Sequence, residues 1–190
     1  PSCLGETTTA FDAMCETATE AHITGTIHPS SWAQVRHKTA TSGMGVRSSH
    51  MHREAAYIAS VLFAAQRDAW DPNLAPGIKE AIAAYNGKVA PTSRLLDDPM
   101  AILLVGLPPS QRSLSLAIDD LAWAAHHRDA NEFNRLRLTS ESGKYAGAWL
   151  DSVPNKARQT AWTPQEWTTQ CRFWLGQHFA IFISSIKKKK

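Results

Sequence analysis

An all-α fold, an irregular helical bundle of about six to eight short helices, is what this chain of 190 residues predicts. Three observations carry that prediction. Apolar residues recur at helix spacing along nearly the whole chain, while alternating strand patterns are scarce. Recognisable start and stop residues bracket several of the periodic runs. Apolar content of 43% with 19% charged residues belongs to a globular chain, neither disordered nor membranous.

Taken in order, the first stripe is Phe11, Met14, Cys15 and Ala18, preceded by a threonine cluster that can supply an N-cap. Ser30 or Ser31 can cap a short helix holding Trp32 and Val35. Gly43 and Gly45 then break the pattern, because glycine adopts backbone angles that other residues resist. Ser49 opens the best long helix, with Met51, Ala55, Ile58, Leu62 and Ala65 forming one stripe toward Gln66. Pro76 and Gly87 bracket a helix over residues 78–86 whose Ile78, Ile82 and Tyr85 face inward. Residues 91–109 form an irregular connector with at most a short helix around 100–105. Ser110 begins a helix through Leu114, Ala117, Ile118, Leu121 and Ala125. Asp129, with Glu132 three residues on, can cap another that carries Phe133 and Leu136 and stops near Gly143.

Thr163-Pro164-Gln165-Glu166 is the clearest start signal. The threonine oxygen can accept from the Glu166 N–H, the Glu166 carboxylate can reach back, and Pro164 has no N–H to satisfy there. Trp167, Cys171, Trp174 and Leu175 follow on one face, and only residues 178–183 read as a strand. The chain reads as a single helical domain, 1–190; if it divides, the lobes are 1–90 and 110–186, joined at 91–109.

The formal charge of +3 misleads, since four of the 20 basic residues are the tail Lys187–Lys190, leaving 16 against 17 acidic residues. A body so balanced has no global field to draw in nucleic acid, so polyanion binding would come from a local patch or from the basic tail, 187–190. Cys3, Cys15 and Cys171 cannot close a disulfide set and lack metal-ligand spacing, which favours free thiols in a reducing intracellular compartment. No apolar run approaches the ~18 residues that span a bilayer, so no transmembrane segment is expected, and no secretory leader is read at Pro1.

Candidate chemistry is thin. Asp119-Asp120 would suit metal-ion catalysis only from a hairpin, and here the pair lies in a helix-period run, where adjacent side chains diverge; it reads as solvated helix charge. Asp97-Asp98 reads as a turn or cap before Pro99. His50 with His52, and His126 with His127, lack the i, i+4 spacing of helical metal ligands and read as surface or partly buried histidines. A Cys171–His178 dyad is weighed against a cysteine simply buried in an aromatic stripe, and burial is preferred. No cofactor or metal is expected, and no acid, base and nucleophile can be drawn together, so the chain is read as no enzyme. The aromatic C-terminal third holds the binding candidates: Trp149, Trp162, Trp167 and Trp174 interleave with Lys144, Lys156, Arg158 and Arg172. Stacking faces beside cations are what a single-stranded nucleic-acid groove uses; the plainer reading, rings filling a core, stands ahead of it.

Several blocks carry a resemblance. Phe11-Asp12, Trp32-Ala33-Gln34, the turn Ser42-Gly43-Met44-Gly45-Val46-Arg47-Ser48, and Ala55 to Ser60 occur in that order. Leu116 to Asp120, Arg135 to Ser140, Gly147 to Leu150 and Trp174 to Gly176 follow. In that order they resemble the C-terminal, post-palm region of retroelement-encoded reverse transcriptase polyproteins, which typically shows Trp-x-Gln, a Gly-Gly-Leu-Gly-Leu-Arg-Ser-like turn and an Ala-Ala-Tyr-x-Ala-Ser helix. This chain departs from the pattern at Ser42, Met44 and Val46, and it lacks the polymerase motifs and the Cys/His-rich continuation of relatives. The resemblance implies a non-catalytic helical module making weak nucleic-acid contact through the C-terminal third. The alternative is a structural or accessory subunit packed against protein partners in a larger assembly.

Overall fold

The computed structural model describes residues 2–23, 25–143, 145, 147–151 and 161–177. Among the described residues the fold is all-α, with no strand and a single isolated antiparallel bridge, Thr41 to Ser142. The helices are α1 (Ser2–His22), α2 (Trp32–Arg36), α3 (Ser49–Asp68), α4 (Ile78–Asn86), α5 (Pro99–Val105), α6 (Gln111–Asp129), α7 (Glu132–Ser140), α8 (Ala148–Asp151) and α9 (Pro164–Trp174). Two compact units emerge, one from residues 1–12 and 48–124, the other from residues 13–47 and 125–190. The connector at 91–109 therefore lies inside the first unit and divides nothing; α1 and α6 instead contribute residues to both.

The first unit is built on α3 and α4. Ala55, Ile58 and Leu62 of α3 meet Ile78, Ile82 and Tyr85 of α4, and Ile102, Leu114 and Ile118 close the same cluster. The i, i+3/i+4 spacing of these residues produces one apolar face per helix, and burying those faces together is what stabilises helices too short to persist alone. Ser48 caps α3 by accepting from the Met51 N–H at 3.1 Å. Asp12 accepts from the Ser49 and His50 N–H groups at 2.7 and 3.2 Å, placing a carboxylate on the positive end of α3. Glu54, 6% exposed, is held by Lys88 at 2.6 Å and Arg53 at 2.7 Å. Burial pushes its carboxyl up, yet the hydrogen bonds from Lys88 and Arg53 outweigh that and leave it below the ordinary value. Gly77, at φ +75°, begins α4 without any side-chain cap.

Several expectations are corrected here. Asp119 is no solvated charge: it is 6% exposed and faces His52 Nε2 at 3.2 Å, whereas Asp120 is exposed. Phe11 and Met14 do not face inward; they are 53% and 70% exposed. The opposite side of α1 is the buried one, because Asp12 satisfies the start of α3 and Glu20 accepts from the Ile27 N–H at 2.9 Å. Phe133 and Leu136 are likewise outside, 69% and 67% exposed, while α7 buries Leu138. The cap of α7 is Asn131, accepting from the Asn134 N–H at 2.8 Å, and Asp129 belongs to the end of α6. Ser31 makes no side-chain cap for α2; a 3-10 turn over Pro29–Ser31 precedes it, with His28 accepting from the Ser30 N–H. The α9 start forms as read, with Thr163 and Glu166 completing both halves of the capping box. Residues 178–183, the one strand-like run, fall outside the described residues.

Candidate functional site

Among the described residues, a dense polar arrangement lies inside the second unit and starts from one glutamine. Gln34 sits on α2 between Trp32 and Val35, a position whose helix face is buried, and it is 1% exposed. Its Nε2 donates to the Ser42 and Trp174 carbonyls, both at 2.8 Å, and lies 3.1 Å from Glu141 Oε2. Arg137 reaches in from α7, donating to Gln34 Oε1 at 2.9 Å, to Glu141 Oε2 at 2.8 Å and to the Trp174 carbonyl at 2.6 Å. The guanidinium therefore caps the C-terminal end of α9, where a cation is favoured by the helix dipole. Gly176 follows at φ +66°, and a Cβ there would stand 2.9 Å from Arg137. Burial pushes the Glu141 carboxyl up to about 7, against the opposing pull of Arg137 and the Gln34 hydrogen bond.

The turn gripped by this clip is itself tightly fitted. Ser42 is fully buried at φ +62°, a left-handed conformation costly for any residue with a Cβ. Gly43 packs so closely that a Cβ would be 1.9 Å from the His37 carbonyl oxygen, and Gly45 donates its N–H to that oxygen at 2.9 Å. His37 in turn places Nε2 2.9 Å from Nδ1 of His126, with ring centroids 5.1 Å apart and planes 29° from parallel. Burial first, then the charges of Arg137 and His127, hold His126 below the ordinary histidine value.

An aromatic cluster adjoins the clip through Trp174. Trp149 is 5.5 Å from Trp167, 5.6 Å from Trp174 and 6.3 Å from Trp162, centroid to centroid. Trp174 is 6% exposed and donates its indole N–H to the Gly43 carbonyl at 3.3 Å. Its ring is a core element, packed with Ile23, Ile27, Val35, Cys171 and Leu175, as the plainer reading of the tryptophans expects. Trp149 and Trp167 are half-buried against the same cluster, and Trp162 is 41% exposed. Arg172 is half-buried, while Lys144, Lys156 and Arg158 lie outside the described residues. The structure thus brings together the four tryptophans of the candidate set but uses one of them wholly for packing. A cleft of about 500 Å³ beside Trp167 is lined by Thr19, His22, Ile23, Met44 and Val46. In the first unit a groove of about 480 Å³ runs past Arg53, Tyr57, Pro76 and Glu80.

Cys171 is fully buried, and burial pushes its thiol up to about 11, which removes the thiolate that a nucleophile needs. Among the described residues no group of three His, Cys, Asp or Glu side chains could hold a metal ion. No helix among them is long and apolar enough to cross a membrane. What the arrangement can do is mechanical: it fastens α2, the 42–45 turn, α7 and the end of α9 at one point. Sequence reasoning missed Gln34, Arg137 and Glu141 as a set, since their partners lie 103 to 140 residues apart. The local signals were a glutamine on the buried face of a Trp/Val helix and the i, i+4 spacing of Arg137 and Glu141. Comparison with protein-family models, with curated proteins and with solved structures gave no match.

Proposed function

We propose that the chain is a non-catalytic helical module of the kind that follows the palm in retroelement reverse transcriptase polyproteins, and that it acts by packing against protein. One observation carries this reading. The separated blocks that resemble that region, Trp32 to Gln34, Ser42 to Ser48, Arg135 to Ser140 and Trp174 to Gly176, supply Gln34, Ser42, Arg137 and Trp174 to a single buried clip. Gln34 and Arg137 enter it by their side chains, so the residue types in those two blocks serve one structural task. The left-handed Ser42 at the family's glycine position supports the same reading. Packing against protein is supported by large apolar side chains left in solvent, above all Leu104, Val105 and Leu107 at 80–86% exposure.

The test is co-expression with the palm of a retroelement reverse transcriptase, read by ultracentrifugation. A stoichiometric complex, weakened by Leu104→Ser with Leu107→Ser, is expected. A monomer that joins no palm sinks the proposal. A second reading, weak contact with single-stranded nucleic acid, is favoured by Trp162, which remains 41% exposed beside Trp149. It requires oligonucleotide affinity that falls steeply between about 50 and 200 mM salt and drops on Trp162→Ala.

A further inference from the structure

We propose that the His37–His126 pair is a proton-operated latch on the 41–47 turn: with a single shared hydrogen it seats the turn, and with both rings protonated it releases it. The geometry sets the requirement. A hydrogen bond between Nε2 of His37 and Nδ1 of His126 at 2.9 Å needs one nitrogen to accept, so it cannot survive when both facing nitrogens carry hydrogen. His37 is 5% exposed, and its carbonyl is the seat on which Gly43 packs and to which Gly45 donates. Moving His37 therefore moves the turn. Ser42 and Gly43 also anchor Gln34 and the Trp174 indole, so release would loosen the clip as well.

The charged and titratable groups around the pair reinforce the direction. Arg137, from α7, and the neighbouring His127 oppose a second positive charge, while Asp129, one turn along α6, favours it. Glu141 lies beyond Arg137 and takes its proton near 7, so below that value it no longer neutralises the guanidinium facing His126. The sign follows from His126 being held below its ordinary value of 6.5. Its contribution to stability is complete above 6.5 and is lost as the pH falls through the lower folded value. Glu141, raised, contributes in the opposite sense, gaining as pH falls toward 4.5. Opening leaves both facing nitrogens able to take hydrogen, a contribution separate from that of Glu141, so Glu141→Gln should enlarge the acid loss at the turn.

Hydrogen exchange read by mass spectrometry, corrected for the intrinsic pH dependence, tests this on the whole chain. Protection of the peptide covering 37–47 is expected to drop at least tenfold between about pH 7 and 5, while the peptide covering α3 keeps its protection. His126→Asn, which cannot charge, is expected to flatten that drop, as is His37→Asn. If either variant fails to fold, ring-proton titration of the unaltered chain decides. Two imidazoles protonating in step with loss of the Gly45 amide signal is the expected result. A pH drop that persists in both folded variants, exchange rising equally in α3, or rings that titrate while the Gly45 amide stays protected would each overturn the latch.

Discussion

Hydrocarbon dominates the first unit, whereas the second adds a polar clip to its own apolar cluster. In the first, Ile58, Leu62, Ile78 and Ile82 interlock on the buried faces of α3 and α4, and the charged groups Glu54, Lys88 and Arg53 lie together beside that core. In the second, the buried Gln34 and Glu141 are joined by the half-buried Arg137, and all three meet next to the Trp174 carbonyl. The two constructions fail differently. An apolar core loses stability in proportion to the volume removed, and neighbouring side chains recover part of the loss. A buried polar network has no such slack, because deleting one member leaves another desolvated and unmatched.

The largest expected effect lies in the clip. Arg137→Met leaves the Glu141 carboxyl with only the Gln34 amide and the Gln34 side-chain carbonyl without its Arg137 donor, and should destabilise the second unit by about 3–5 kcal/mol. Urea titration followed by hydrogen exchange should place that loss in peptides covering α2 and α9 and spare α3. Ile82→Ala is the counterpart in the first unit and should cost about 3 kcal/mol, confined to α3 and α4. Equal spreading of both losses through both units would erase the contrast.

The two buried glutamates lean in opposite directions with pH, which sharpens the comparison. Glu141 is raised from 4.5 to about 7, so its contribution is fully present below 4.5 and is lost as pH rises through about 7. At the limit that is on the order of 3 kcal/mol, and subtracting the profile of Glu141→Gln should isolate it. Glu54 is lowered, so its contribution is present above 4.5 and is lost in acid. Glu54→Gln should therefore remove an acid limb from the first unit, and chemical denaturation across pH would read both. The smallest effect is a gain. Ser42→Gly relieves a left-handed serine at the cost of its hydroxyl bond to the Thr41 carbonyl, and should add about 0.5–1 kcal/mol as a raised Tm.

How much of this was legible in the sequence divides along the same line. The helix α4 could be read residue by residue, because Ile78, Ile82 and Tyr85 follow helix spacing and all three are buried. The Thr163–Glu166 box could be read because capping is a local transaction. The faces of α1 and α7 could not. There the apolar side chains Phe11, Met14, Phe133 and Leu136 stay outside, while polar residues turn inward to satisfy distant backbone groups. Periodicity registers which residues are greasy and is silent on which carbonyl or amide across the chain lacks a partner. For the candidate site the composition of the aromatic cluster was visible, but the clip beside it was not.

The thiol of Cys171 gives the second unit a built-in clock. It is wholly enclosed, with its acidity suppressed to about 11, whereas Cys15 is only partly covered. An alkylating reagent can meet the inner sulfur only after the surrounding tryptophans part. The rate of that slow labelling, set against the fast one at Cys15, would time how often this half of the molecule breathes.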